Sequence, residues 1–144
     1  MRLALPQHFE DLEHTADVGV AVEGASPEEA LARLVLAQAA LLAGEGEVEA
    51  LREERIAVQG NGHLELAIGL LRELLFRFAT ERVIAAECEV LALEPSARVE
   101  VAVGLGRYDP QLHGEGLDIK AVTWHAARFE ELGGRWRAQV LFDI

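Results

Sequence analysis

The feature that most constrains the fold is a change of hydrophobic period about halfway along the chain. Two segments before this point have helical character, residues 27–42 and 63–80. Beyond them the pattern changes to a run of four predicted strands, at residues 82–93, 98–103, 119–131 and 135–144. Helices followed by consecutive strands are typical of an α+β protein. We therefore predict one domain, residues 1–144, in which two helices pack on one face of a mostly antiparallel sheet.

Local signals support the elements of the first half. Ser26 is followed by Pro27, which suits the first helical position, and a glutamate three residues after Ser26 completes a capping box. Residues 17–24 and 55–59 are predicted strands, one before each helix. Residues 104–116 form the longest segment without periodicity. We expect that segment to be an irregular loop and a natural place for function.

Composition narrows the possible functions. The net charge of −12 argues against direct binding to a nucleic-acid backbone, and it suits a basic protein partner, metal ions or simple solubility. The single cysteine, Cys88, excludes an internal disulfide framework and a cysteine-rich zinc site, and its apolar surroundings predict a core residue. No apolar run reaches the roughly 20 residues that span a bilayer. The N-terminal segment, broken by Pro6, is too short for a signal peptide, so we expect a cytoplasmic protein.

Two acids stand at the ends of predicted strands. Asp143 and Ile144 close the last strand, and Asp17 opens another, in the segment His14-Thr15-Ala16-Asp17. If these strands meet in one sheet, Asp17, Asp143 and the main-chain carboxylate of Ile144 form a site for a hard cation, which offsets their mutual repulsion. The alternative is that Asp143 is a solvated strand end and that Thr15 and Asp17 satisfy N–H groups of a local turn.

The only lysine of the chain lies in a second cluster, Lys120-Ala-Val-Thr-Trp-His125. In a regular strand Lys120 and Trp124 share one face, whereas His125 points to the other. For Lys120 and His125 to serve one site, the strand needs a bulge. The alternatives are a solvated strand lysine and a half-buried histidine with satisfied hydrogen bonds.

Four segments, in the same order and covering nearly the whole chain, resemble the archease family. They are Phe9-Glu-Asp-Leu-Glu-His-Thr-Ala-Asp-Val-Gly-Val20, residues 66–76, Ile119-Lys-Ala-Val-Thr-Trp-His125 and residues 136–144, with the ending Phe142-Asp143-Ile144. Two features depart from the family pattern. Trp124 stands where the family more often has tyrosine, and residues 114–116 replace a more charged loop.

The resemblance implies a role as a cofactor protein. Archeases are expected to activate the GTP-dependent RNA ligase that seals tRNA halves after intron removal. The ligase forms a covalent guanylate on one of its own histidines, and the archease promotes this guanylylation so that the ligase turns over many times. The resemblance therefore implies a non-catalytic activator whose partner is the ligase.

The resemblance also implies a divalent cation at one end of the fold. Carried over residue by residue, its ligands are Asp17, Asp143 and Ile144, the last through main-chain oxygens. An oxygen-only site fits Ca²⁺ or Mg²⁺ better than zinc. Lys120 and His14 match family positions associated with activity, and His125 is a further candidate.

Two other functions stay open at the level of sequence. One is a general chaperone or protein-binding module, which uses an apolar surface and does not depend on the acids. The other is a metal-dependent hydrolase, with Asp17 and Asp143 as ligands and His125 as the base. The hydrolase requires His125 on the metal's side of the sheet.

Overall fold

The computed structural model describes residues 1–14, 17–44, 46–113 and 116–144, without the side chains of residues 13, 14 and 112. Its elements are, in chain order, β1 (Arg2–Ala4), β2 (Glu10–His14), β3 (Asp17–Gly24), α1 (Pro27–Ala43), β4 (Arg52–Gln59), α2 (His63–Glu81), β5 (Val83–Glu94), β6 (Arg98–Arg107), α3 (Pro110–His113), β7 (Ala121–Leu132) and β8 (Arg135–Asp143). Within these residues, no helix is long and apolar enough to cross a membrane.

The strands form two antiparallel sheets. One has the order β1-β5-β6-β4 and the other the order β2-β3-β8-β7. Both α1 and α2 contact strands of each sheet, and residues of both sheets and both helices share one hydrophobic core. The predicted α+β class, with two helices and antiparallel strands, is confirmed. The division of the strands into two sheets was not predicted, because the alternation of a strand does not identify its neighbour.

The start of α1 follows from its capping residues. The Ser26 hydroxyl accepts a hydrogen bond from the Glu29 N–H at 3.1 Å, and the Glu29 carboxylate accepts one from the Ala25 N–H at 3.0 Å. These two bonds satisfy N–H groups that have no partner inside the helix. Eleven of the 17 residues of α1 are buried, which a helix needs when both sheets pack against it.

The core contains fully buried apolar side chains from both helices and both sheets. Leu34 of α1, Leu71 of α2 and Phe142 of β8 have no exposed surface. Cys88 is also fully buried, as its sequence context predicts, and burial raises the pKa of its thiol to about 12. The thiolate is therefore absent at neutral pH, which removes Cys88 as a nucleophile.

The predicted loop at residues 104–116 is wrong at its start. β6 continues to Arg107, and the short helix α3 follows at Pro110–His113. The hydrophobic pattern does not reveal this continuation at Gly104 and Gly106, because glycine has no side chain that could take part in an alternating pattern. The main chain of another segment passes over Gly106, and a Cβ there would lie 2.3 Å from the Glu49 carbonyl oxygen. Glycine is needed at that close approach.

The end of α3 is fixed by a buried histidine. The Nδ1 atom of His113 accepts a hydrogen bond from the Asp109 N–H at 3.0 Å, so its Nε2–H donates to the Glu47 carbonyl at 2.7 Å. The imidazole thus connects α3 to the segment before β4. His113 is a structural residue in a region that the sequence marked as a possible functional loop.

Candidate metal centre

Three strands bring the predicted acids to one end of the second sheet, where the strand ends form an edge that runs across the strands. β3 begins at Asp17 and β8 ends at Asp143, and these two residues are directly opposite each other in the antiparallel pair. On the other side of β8, the first residue of β7, Ala121, is also opposite Asp143. The condition stated from the sequence, that the two strands meet in one sheet, is satisfied.

The two carboxylates lie on the same face of the sheet. Residues directly opposite in an antiparallel pair have Cβ atoms about 4.5–5.5 Å apart, and like charges in such a pair destabilise the sheet. Asp143 is exposed and Asp17 is partly exposed. The adjacent Phe142 is fully buried and stands opposite Val18 and Val122. The acidic pair is therefore adjacent to well-packed core residues. A cation between the carboxylates would remove their repulsion.

Lys120 is attached to this edge through its main chain. Its N–H donates a hydrogen bond of 2.8 Å to the carbonyl oxygen of Asp143, and its side chain is exposed. Lys120 thus stands directly before β7, beside the acidic pair. Near the end of β8, oxygen ligands come from the Asp143 carboxylate and from Ile144, which is 45% exposed.

The main chain of His14 lies beside Asp17 at the same end of the sheet. His14 is the last residue of β2 and stands opposite Asp17. The row across the sheet is therefore His14, Asp17, Asp143 and Ala121. The side chain of His14, and residues 15 and 16, lie outside the described part of the chain.

His125 lies in a bulge of β7. Thr123 is opposite Leu141 and Arg128 is opposite Gln139, so four residues of β7 face a single residue of β8. Ala126, within the bulge, has a φ of 54°, and its carbonyl accepts a hydrogen bond of 3.0 Å from the Gln139 side chain.

The bulge does not bring His125 to the acidic row. The β8 residue that the bulge faces is three positions from Asp143, a separation of about 10 Å at the usual strand rise. The structure therefore does not place His125 beside Asp17 and Asp143, as the hydrolase hypothesis requires.

Arg72 is a neighbour of this region that sequence reasoning missed. Its Nε and Nη2 atoms donate hydrogen bonds of 3.3 and 3.0 Å to the Val122 carbonyl. Its guanidinium lies 5.9 Å from the centre of the Trp124 ring, which is 50% exposed. No sequence signal connects residues 50 positions apart, so only the packing of α2 against β7 reveals the pair.

The donor set at the acidic edge is suited to a hard cation. Asp17 and Asp143 provide carboxylate oxygens, and Ile144 adds main-chain oxygens, which are the ligands that Ca²⁺ and Mg²⁺ prefer. Among the described residues, no three His, Cys, Asp or Glu side chains converge as a metal-binding group. An ion at this edge would thus be held by two side chains, with Ile144 and water completing its coordination.

Comparison with known proteins identifies the family. A sequence profile of the Archease protein family matches residues 9–144. The chain belongs to the archease family. The match includes Asp17, Lys120 and Asp143 and both long helices.

Curated relatives match over nearly their full length. Protein archease of Methanopyrus kandleri is 32% identical over 94% of this chain and 99% of its own. Protein archease of Pyrococcus abyssi is 30% identical over 96% of this chain and 99% of its own. A protein named archease-like from Dictyostelium discoideum is 31% identical over 96% of this chain and 94% of its own.

Solved structures confirm the fold of the family. The solution structure of a Methanobacterium thermoautotrophicum protein superposes with a TM-score of 0.78, at 25% identity, over 94% of this chain and 98% of its own. A Thermotoga maritima crystal structure, described as an archease and possible chaperone, superposes with a TM-score of 0.61, at 21% identity, over 96% of this chain and 99% of its own. The second likeness shows the fold alone.

Proposed function

We propose that this protein is a non-catalytic, cytoplasmic activator of the GTP-dependent RNA ligase that acts in tRNA splicing. Its task is to promote guanylylation of the ligase's histidine, so that the ligase completes many turnovers. Membership of the archease family supports this role. The observation that carries the proposal is the row of Asp17 opposite Asp143, with Lys120 bonded to Asp143 at the same edge.

The acidic edge, defined as Asp17, Asp143 and Ile144, is proposed to hold Ca²⁺ or Mg²⁺. When bound, the ion supplies positive charge for a nucleotide phosphate. The two carboxylates bind and orient it, and the cross-strand pairing fixes the distance between them. The exposed ammonium group of Lys120 neutralises phosphate charge that develops as the ligase's histidine attacks. This chain contributes positioning and charge, and the ligase contributes the nucleophile.

The overall charge supports a protein partner. A net charge of −12 repels an RNA backbone, whereas it attracts the basic cleft of an enzyme that binds RNA and GTP. Electrostatic complementarity of this kind mainly accelerates association and weakens as salt increases. We therefore expect activation to be faster at low ionic strength.

The test is a guanylylation assay with purified ligase, GTP and divalent metal. We expect the native chain to increase the yield of ligase-guanylate per unit time, and Asp143→Ala to reduce that stimulation at least about tenfold, as for a lost charge-stabilising group. Lys120→Ala should reduce it in the same direction. Asp11→Ala is the matched control, because Asp11 is an exposed acid of the same sheet that stands opposite Val20 instead of another acid.

Two outcomes would refute the proposal. Full stimulation by an Asp143→Ala protein with native melting behaviour would remove the acidic edge from the mechanism. Suppression of aggregation of unrelated client proteins, unchanged by substitution of Asp17 or Asp143 and without any effect on the ligase, would instead establish a general chaperone.

A further inference from the structure

Two aromatic side chains in the described part of the chain are exposed, and both are neighbours of Arg72. The chain has five phenylalanines, two tryptophans and one tyrosine. Phe76 is 62% exposed and Trp124 is 50% exposed, and they are the aromatic members of the set of exposed large hydrophobic residues within the described chain. Both flank the same residue, Arg72. We call Arg72, Phe76 and Trp124 the aromatic patch.

The patch includes residues of two elements, α2 and β7. The Arg72 guanidinium lies 5.9 Å from the centre of the Trp124 ring. Phe76 is four residues after Arg72 in α2, so both side chains lie on one face of the helix, and Phe76 leans towards Arg72 because helical side chains tilt towards the N-terminus. Arg72 thus has Trp124 beside its guanidinium and Phe76 one turn later on the same face of α2.

The main chain around Trp124 is held in place. Arg72 donates two hydrogen bonds to the Val122 carbonyl on one side of Trp124, and Gln139 donates one to the Ala126 carbonyl on the other. Val122 itself is 2% exposed. Because these contacts already order the bulge, binding through Trp124 costs little additional conformational entropy.

We propose that the aromatic patch is a docking site for the RNA ligase, on the rim of the cleft that receives the acidic edge. This inference rests on the proposed function. The partner surface is expected to be apolar and to carry a carboxylate or carbonyl group for Arg72. Tryptophan and arginine dominate the binding energy of protein interfaces, and aromatic residues are enriched there.

The position of the patch supports this occupant. Trp124 follows Ala121, the residue opposite Asp143, by three positions in β7, which corresponds to about 10 Å. A standard interface covers roughly 800 Å² of each partner, a disc about 30 Å across. Asp143 and Ala121 share one face of the sheet, and by alternation Trp124 lies on the other face, with Val122. A cleft that receives the end of the sheet contacts both faces, so its rim reaches Trp124. The charges also differ along this footprint, since the acids lie at one end and Arg72 at the other, which fixes the orientation of the complex.

The test measures ligase affinity, which the aromatic patch is expected to set, separately from the maximal guanylylation rate, which the acidic edge is expected to set. We expect Trp124→Ala and Phe76→Ala to weaken ligase binding, measured by isothermal titration calorimetry, by about 10-fold or more, as for interface hot spots. The concentration of this protein that gives half-maximal guanylylation should rise by the same factor, while the maximal rate stays unchanged. Trp124→Tyr, which keeps an aromatic ring, should retain binding.

The matched control is Leu132→Ala. Leu132 is an apolar residue of β7 with a similar exposure of 54%, and it lies eight positions beyond Trp124, at the far end of the strand. It should bind the ligase as the native chain does. Since all these side chains are exposed, the variants should keep the native melting temperature, which is measured for each.

The outcomes separate this inference from the proposed function. Native ligase affinity of both Trp124→Ala and Phe76→Ala overturns the docking site, even if Asp143→Ala abolishes stimulation. Loss of affinity in these variants supports the docking site even if the acidic edge proves unnecessary. Two further results also overturn it. One is weaker binding of single-stranded RNA by Trp124→Ala without ligase, and the other is loss of a native dimer in that variant with unchanged ligase affinity.

Discussion

Replacing Asp143 by asparagine should change stability in opposite directions with and without metal. Asp143 stands directly opposite Asp17, and both side chains lie on the same face of the sheet. Like charges in this position are unfavourable, by an amount comparable to the roughly 0.2–1 kcal/mol that opposite-charge pairs contribute. Asparagine keeps the shape and removes the repulsion. In chelator-treated buffer we therefore expect Asp143→Asn to stabilise the protein by about 0.5 kcal/mol.

Added metal should reverse the order of the two proteins. An ion at 100 times its dissociation constant stabilises the native state by about 2.7 kcal/mol. For a chain of this size, 1 kcal/mol shifts the melting temperature by about 3 °C. Ca²⁺ or Mg²⁺ should thus raise the melting temperature of the native protein by about 8 °C and leave that of Asp143→Asn nearly unchanged. In the absence of metal, the variant should melt about 1–2 °C above the native protein.

The measurement is thermal unfolding followed by circular dichroism, with a chelator and then with each metal in turn. Asp11→Asn is the control, because it removes one charge from the same sheet without relieving a cross-strand acidic pair. It should respond to metal as the native protein does. An Asp143→Asn protein that gained as much from metal as the native chain would exclude a metal site at the acidic edge. One that was less stable than the native chain in the chelator would exclude repulsion between Asp17 and Asp143.

Three further predictions concern the core, a surface ion pair and the last residue. Leu34→Ala removes a fully buried side chain and should cost about 2–5 kcal/mol in urea unfolding; a cost below 1 kcal/mol would contradict the packing. The hydrogen bond from Arg77 lowers the pKa of Glu54 in the folded protein. The stability that Glu54 contributes is therefore fully present above its unfolded-state pKa of 4.5, and it is lost as the pH falls through the lower folded-state pKa. Glu54→Gln should therefore cost about 0.5 kcal/mol in urea unfolding at pH 7, a value reduced for solvent screening, and progressively less as the pH falls below 4.5. If the main-chain oxygens of Ile144 are ligands, a Gly-Ser extension after Ile144 should weaken metal binding about tenfold in the melting assay. An unchanged melting response to metal would assign binding to the two carboxylates alone.

The local elements of this protein were largely predictable because their signals are local. The capping box at Ser26 set the start of α1, and the helical spacing set α2. The errors occurred where a side chain carries no pattern. Gly104 and Gly106 concealed the continuation of β6, since the close passage of another segment, and not alternation, selects glycine there.

The candidate site was predictable in its members but not in its arrangement. The acids at Asp17 and Asp143 and the family blocks around them are visible in the sequence, and they suffice to name a possible hard-cation site. The register that sets Asp17 opposite Asp143 depends on main-chain pairing between residues more than 120 positions apart. Alternation defines which face a residue occupies, and it does not define the partner strand.

The sequence by itself determined the α+β class, the two long helices, the acidic charge and the family. Tertiary structure alone decided that the strands divide into two sheets, that the bulge in β7 does not bring His125 to the acidic row, and that Arg72 meets Trp124. The physical reason is the range of the forces involved. Capping, helical spacing and alternation act within a few residues, whereas register, bulges and cation–aromatic contacts exist only when distant segments pack on a common core.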